Sequence, residues 1–158
     1  MAFSLRSASF EHEAAIPAKH TCQGVDTAPP LAWSDAPAGA ASFALIVDDP
    51  DAPDPRAPKT TWVHWVLYNL AAATSALPEG AKAAELPAET LEGVNDFGTT
   101  VYRGPCPPIG RHRYFFKLYA LDAVLAELRK PTKADLEKAM RGHVLAEAQL
   151  VGTYEKRK

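Results

Sequence analysis

The chain has 158 residues, 47% of them hydrophobic and 23% charged, and a formal net charge of −2. That length supports one domain spanning 1–158 with its own core, and the near-neutral charge removes the electrostatic case for nucleic acid or an acidic membrane surface. No stretch reaches the roughly 18 apolar residues of a membrane span, and the start, Met-Ala-Phe-Ser-Leu-Arg-Ser, lacks the basic and apolar regions of a secretory signal, so a cytoplasmic protein is expected.

The first landmark is Cys22, which has one companion, Cys106. Two cysteines do not make a disulfide framework in a chain of this size and lack metal-site spacing. Two reduced thiols near loops are expected, with a disulfide between them as the alternative, since both flank Pro-rich turns. Of fourteen prolines, nine gather in loops at 29–30, 50–58 and 105–108. Each fixes φ and removes a donor, so these loops are pre-ordered.

Ser42-Phe-Ala-Leu-Ile-Val-Asp48 predicts a strand ending where an acidic Pro loop begins. Trp62 to Asn69 predicts a central strand, with His64 on one face beside Val66 and Tyr68. Next, Gly110-Arg-His112-Arg-Tyr114 is read as a loop leading into a third strand, Tyr114 to Leu121. The apolar residues of that strand occupy both faces, which points to burial between layers. The segment 123–130 is read as a short turn of helix. A helix is predicted over 132–141, with Thr132 as N-cap, Asp135 at N3, a stripe of Leu136, Ala139 and Met140, and Gly142 as its stop. From His143 to Gly152, helix and strand are both open. These elements describe a mostly β domain with ordered loops and one or two C-terminal helices.

The chemistry concentrates in two of these stretches. Asp48, Asp49 and Asp51 are close enough to repel, so at least one needs donors, a cation or a proton. In an extended chain Asp49 and Asp51 share a side. Asp51 also suits a turn cap, which leaves Asp49 as the better site carboxylate. His64 alone reads first as a core histidine. His112 follows Gly110, where backbone can approach a ligand closely, and Arg103, Arg111 and Arg113 surround it with positive charge. Histidine, tyrosine and loop N–H donors suit oxygen-rich anions, phosphate above all, although Arg111 and Arg113 also read as solvated charges paired with acids. Metal binding is the competing chemistry, but no H-x-D pair or helical H-E-x-x-H is present. No nucleophile signature appears, and neither a catalytic residue nor a cofactor is expected.

Asp49-Pro-Asp-Ala-Pro53, Trp62-x-His64 and Gly110-x-His112-Arg113-Tyr114 resemble the paired signature segments of the phosphatidylethanolamine-binding protein family, also called Raf-kinase-inhibitor-like proteins, in its bacterial branch. The resemblance extends over Ile16–Cys22, Pro29–Ser34, Phe43–Asp54, Asn95–Gly98, Gly104–Pro108 and Gly142–Glu147. It implies an antiparallel β-sandwich, a large sheet against a smaller one, with C-terminal helical elements. It further implies a small anion pocket lined by Asp49, His64, Pro108, Gly110, His112 and Tyr114, with Asp51 and Trp62 shaping it. Two departures bear on the partner: only Ile-Gly-Arg separates Pro108 from His112, and Gln23 stands where bacterial relatives usually place Asp.

The expected function is therefore non-enzymatic binding of a phosphate-bearing small molecule or phospholipid headgroup. His64, His112 and Tyr114 are the expected donors, and Asp49 holds a histidine in its donor tautomer. The alternative implied by the resemblance is inhibition of a kinase or protease; a phosphoester-processing enzyme ranks below both. A homodimer is compatible with the resemblance.

Overall fold

The computed structural model describes residues 2–82 and 85–157. Among the described residues, eight strands form two antiparallel sheets: β1 (Ser4–Arg6), β2 (Leu31–Ser34), β3 (Ser42–Ala52), β4 (Thr60–Ala71), β5 (Ala76–Leu77), β6 (Leu91–Glu92), β7 (Arg111–Leu121) and β8 (Val144–Glu155). The small sheet has the order β1-β2-β5 and the large one β6-β4-β3-β7-β8. An α-helix, α1 (Lys133–Met140), covers the outer face of the large sheet.

This layering explains the unbroken apolar runs. Phe43, Leu45, Val47, Phe116 and Leu118 face the small sheet and pack with Leu5, Leu31 and Trp33. Their neighbours Ala44, Ile46, Val66, Tyr68 and Leu121 face Leu136 and Met140 of α1. Strands covered on both sides need apolar residues at every position. The large sheet against a smaller one is the sandwich the resemblance implies.

The helix forms where its caps predict. Thr132 Oγ1 accepts from the Asp135 N–H at 3.1 Å, and Asp135 Oδ2 accepts from the Thr132 N–H at 3.1 Å. Gly142, at φ +81°, lets the chain leave the helix and enter β8, which settles 143–152 as mostly strand. Along β8, Ala148, Leu150, Gly152 and Tyr154 are buried at every second position. A Cβ on Gly152 would stand 2.5 Å from Ile16 Cγ1 and 2.8 Å from the Phe10 ring. Gly152→Ala is accordingly expected to lower stability by about 1–3 kcal/mol in chemical denaturation, through overpacking.

Four expectations are corrected. The segment 123–130 is not helical. Asn69 bonds both backbone groups of Leu125, Tyr68 Oη accepts from Leu128 N, and Arg129 and Lys130 are left-handed. Strand β3 runs past Asp48 to Ala52, and β7 starts at Arg111, so His112 lies in a strand. His64 does not share a face with Val66 and Tyr68. Val47 pairs with Trp65 and Asp48 with Val63, so His64 is the extra residue of a β-bulge that breaks the alternation. Finally, Cys22 and Cys106 form a disulfide with Cα atoms 5.4 Å apart. Their loops are already joined by the Cys22 N–H donating to Pro105 O at 3.1 Å.

Candidate functional site

A cavity of about 280 Å³ opens where the end of β3 and the starts of β4 and β7 meet two loops. Asp49, Trp62, His64, Pro108, His112 and Tyr114 line it, together with Ala52, Pro53, Phe97, Cys106 and Pro107. Its walls are aromatic. Trp62 and His64 each meet the Phe97 ring edge-on, at 5.6 and 5.4 Å, and His64 meets Tyr114 at 5.3 Å.

His112 is committed to the protein. Its Nδ1 lies 2.6 Å from Asp49 Oδ2, and its Nε2 lies 2.9 Å from Ile109 O and 3.0 Å from Pro53 O. Carbonyls only accept, so Nε2 must carry a hydrogen. The Nδ1–Oδ2 contact then holds a second proton, on the imidazole or on the carboxyl. Asp49 Oδ1 accepts from the Asp51 N–H at 2.7 Å. Burial pushes the Asp49 carboxyl above its usual range, while the His112 and Asp51 hydrogen bonds oppose that shift. The expected Asp49–histidine partnership is thus present, but His112 has no N–H left to offer a ligand.

His64 has the opposite character. Its Nδ1 donates to Arg103 O at 2.6 Å, and Nε2 has no partner among the described residues. Burial lowers its pKa to about 4, so the ring is neutral near pH 7 and Nε2 is an acceptor. The Tyr114 hydroxyl is held protonated, first by burial and then by the charge of Asp49. The cavity thus presents one imidazole acceptor and one phenol donor, the latter also drawn by Asp49, among apolar walls.

Asp51 and Gly110 are not lining residues. Asp51 turns to Arg113, bonding it bidentately at 2.9 and 3.0 Å, and this guanidinium holds its carboxyl below the usual range. His112 and Arg113 face opposite sides of β7, so Asp49 and Asp51 diverge. The register of β3 against β4 shifts beyond Asp49, which removes the alternation that would have aligned them. Gly110, at φ +75°, turns the Pro-rich loop into β7, and a Cβ there would stand 3.2 Å from Pro55 Cδ. The three arginines do not converge: Arg103 pairs with Asp26, Arg111 with Glu155, and Arg113 with Asp51.

Phe97 was not among the expected site residues. It sits in the turn Asn95-Asp96-Phe97-Gly98, where Asn95 Oδ1 accepts from the Phe97 and Thr99 N–H groups and Asn95 Nδ2 donates to His64 O. An Asn followed by Asp and, two residues on, Gly is a turn signal. Nothing in it says which wall the turn will form.

The phosphatidylethanolamine-binding protein family model matches residues 6–155. The chain belongs to this family. Among its relatives, the UPF0098 protein of Methanothermobacter thermautotrophicus is 46% identical over 154 residues, covering 97% of this chain and 99% of the relative. The crystal structure of the family homologue CT736 from Chlamydia trachomatis superposes with a TM-score of 0.89 at 45% identity, covering 99% of each chain. Escherichia coli YbcL superposes with a TM-score of 0.90 at 31% identity, covering 99% of this chain and 100% of its own. Family membership accounts for the sandwich and for the order of the segments that build the cavity. Among the described residues, no helix is long and apolar enough to cross a membrane, and no group of three or more His, Cys, Asp or Glu is placed to hold a metal ion.

Proposed function

We propose that the protein is a non-enzymatic binding protein whose cavity takes one small oxyanion group, such as the phosphate of a monoester or of a phospholipid headgroup, together with a proton. The observation that carries this reading is the partnerless Nε2 of His64 beside the Tyr114 hydroxyl. With His112 and the arginines committed elsewhere, His64 is, of the two imidazoles lining the cavity, the one able to gain a proton and donate to an anion. A cavity of about 280 Å³ suits a headgroup-sized moiety, not a whole lipid.

The pH dependence follows with a definite sign. His64 titrates at about 4 in the free protein, and a bound anion raises that value. Between the two, binding takes up one proton, so affinity falls as pH rises, by about tenfold per unit. Sulfate, which does not itself titrate in this range, is the clean probe. Calorimetric titration is expected to show sulfate binding at least about tenfold weaker at pH 7 than at pH 5. A Kd that is flat over this interval, or no binding at pH 5, removes the proposal.

Capture of a phosphorylated or acidic side chain from a kinase or protease would use the same chemistry, and phosphotyrosine in the same titration tests for it. The Cys22–Cys106 bond fits an oxidising compartment better than the cytoplasm expected from sequence.

A further inference from the structure

We propose that the Cys22–Cys106 disulfide is the clamp of the cavity wall, so that ligand affinity depends on its oxidation state; this rests on the oxyanion reading above. Cys106, Pro107 and Pro108 form one wall of the cavity. Pro105, Pro107 and Pro108 have no backbone N–H, so this stretch has few ways to tie itself down. Among the described residues, Cys106 to Pro108 make no backbone hydrogen bond. The nearest ties lie at the ends: Gly104 N–H to Asp26 Oδ1 at 2.9 Å, Pro105 O to Cys22 N–H at 3.1 Å, and Ile109 O to His112 Nε2. Between them, the disulfide is the one cross-link.

The other end of the bond is firmly held. Residues 18–27 form a hydrogen-bonded loop in which Thr21 Oγ1 donates to Ala18 O and accepts from the Gln23 N–H. Gln23 then anchors the loop to the end of β8, donating to Arg157 O and accepting from Arg157 N and the Tyr154 hydroxyl. The disulfide thus transfers the rigidity of this base to the wall facing His64 and Tyr114. Opening it breaks the Sγ–Sγ bond and forms two thiols with two electrons and two protons. A dithiol supplies both and leaves as its cyclic disulfide.

The test compares oxidised protein with protein reduced by dithiothreitol, and with Cys22→Ser/Cys106→Ser. Reduction is expected to weaken sulfate binding at pH 5 by about tenfold or more, because the wall must then be ordered on binding. NMR order parameters at Gly104, Cys106, Ile109 and Gly110 are expected to fall below about 0.6 while β3 and β7 stay near 0.85. The double-serine variant should match the reduced protein in both readouts. Unchanged order parameters at the wall, or a fall spread equally over the strands, would overturn the clamp. So would equal sulfate affinity in the two redox states. If the oxidised protein takes up no sulfate at all, the oxyanion reading fails, and the order parameters alone decide the clamp.

Discussion

His112→Ala is expected to cost the fold about 3–5 kcal/mol, as removal of one member of a buried, proton-sharing pair does. The substitution leaves the Asp49 carboxyl, which is 3% exposed, without its ring partner, and it strips Ile109 O and Pro53 O of their donor. For a chain of this length, thermal unfolding should shift down by about 10 °C. Asp49→Ala should cost a similar amount. The double variant should cost at least about 1 kcal/mol less than the sum, because neither ring nor carboxyl is then left buried without the other. Additive costs would show that the pair is not coupled. This role explains why a histidine that reads as a ligand donor is a brace: it ties the ends of β3 and β7 to the two loops flanking the cavity.

Reduction of the disulfide is the second large effect. The bond closes a loop of sequence separation 84, and restricting an unfolded chain over that length is worth about 4–5 kcal/mol in the chain-entropy account. Reduced protein or Cys22→Ser/Cys106→Ser should therefore unfold at about 10 °C lower temperature while remaining folded at 25 °C. A melting temperature unchanged by reduction would contradict this. The measurement is separate from the clamp, since chain entropy acts on the unfolded state and wall order on the folded one.

Much of the fold was legible because its signals are local. Runs such as Phe43–Val47 and Tyr114–Leu121 are apolar at successive positions, as strands between two layers must be. The helix start was legible from Thr132 and Asp135 alone. What escaped depends on contacts distant in sequence. The bulge that turns His64 toward Tyr114 exists only in the pairing of β4 with β3. The cysteine pairing reflects two loops 84 residues apart meeting at a backbone hydrogen bond. The segment 123–130 has no helix because Asn69 and Tyr68, far upstream, take its backbone partners.

The site divides in the same way. The positions of Asp49, Trp62, His64, Pro108, His112 and Tyr114 around one cavity are those implied by the family resemblance of the motifs that carry them. Their roles did not. Nothing in Gly110-Arg-His112 discloses that both ring nitrogens meet acceptors, or that Arg113 draws Asp51 away. His64, which reads by itself as a core histidine, is the ring with an open nitrogen.

Proton-coupled anion binding is tested most directly by the pKa of the His64 imidazole, followed by NMR from pH 3.5 to 8 without and with saturating sulfate. The expected value is about 4 in the free protein, and about 6 or above with sulfate bound, as a proton shared with an anion requires. The same pKa in both samples, with sulfate demonstrably bound, would contradict it.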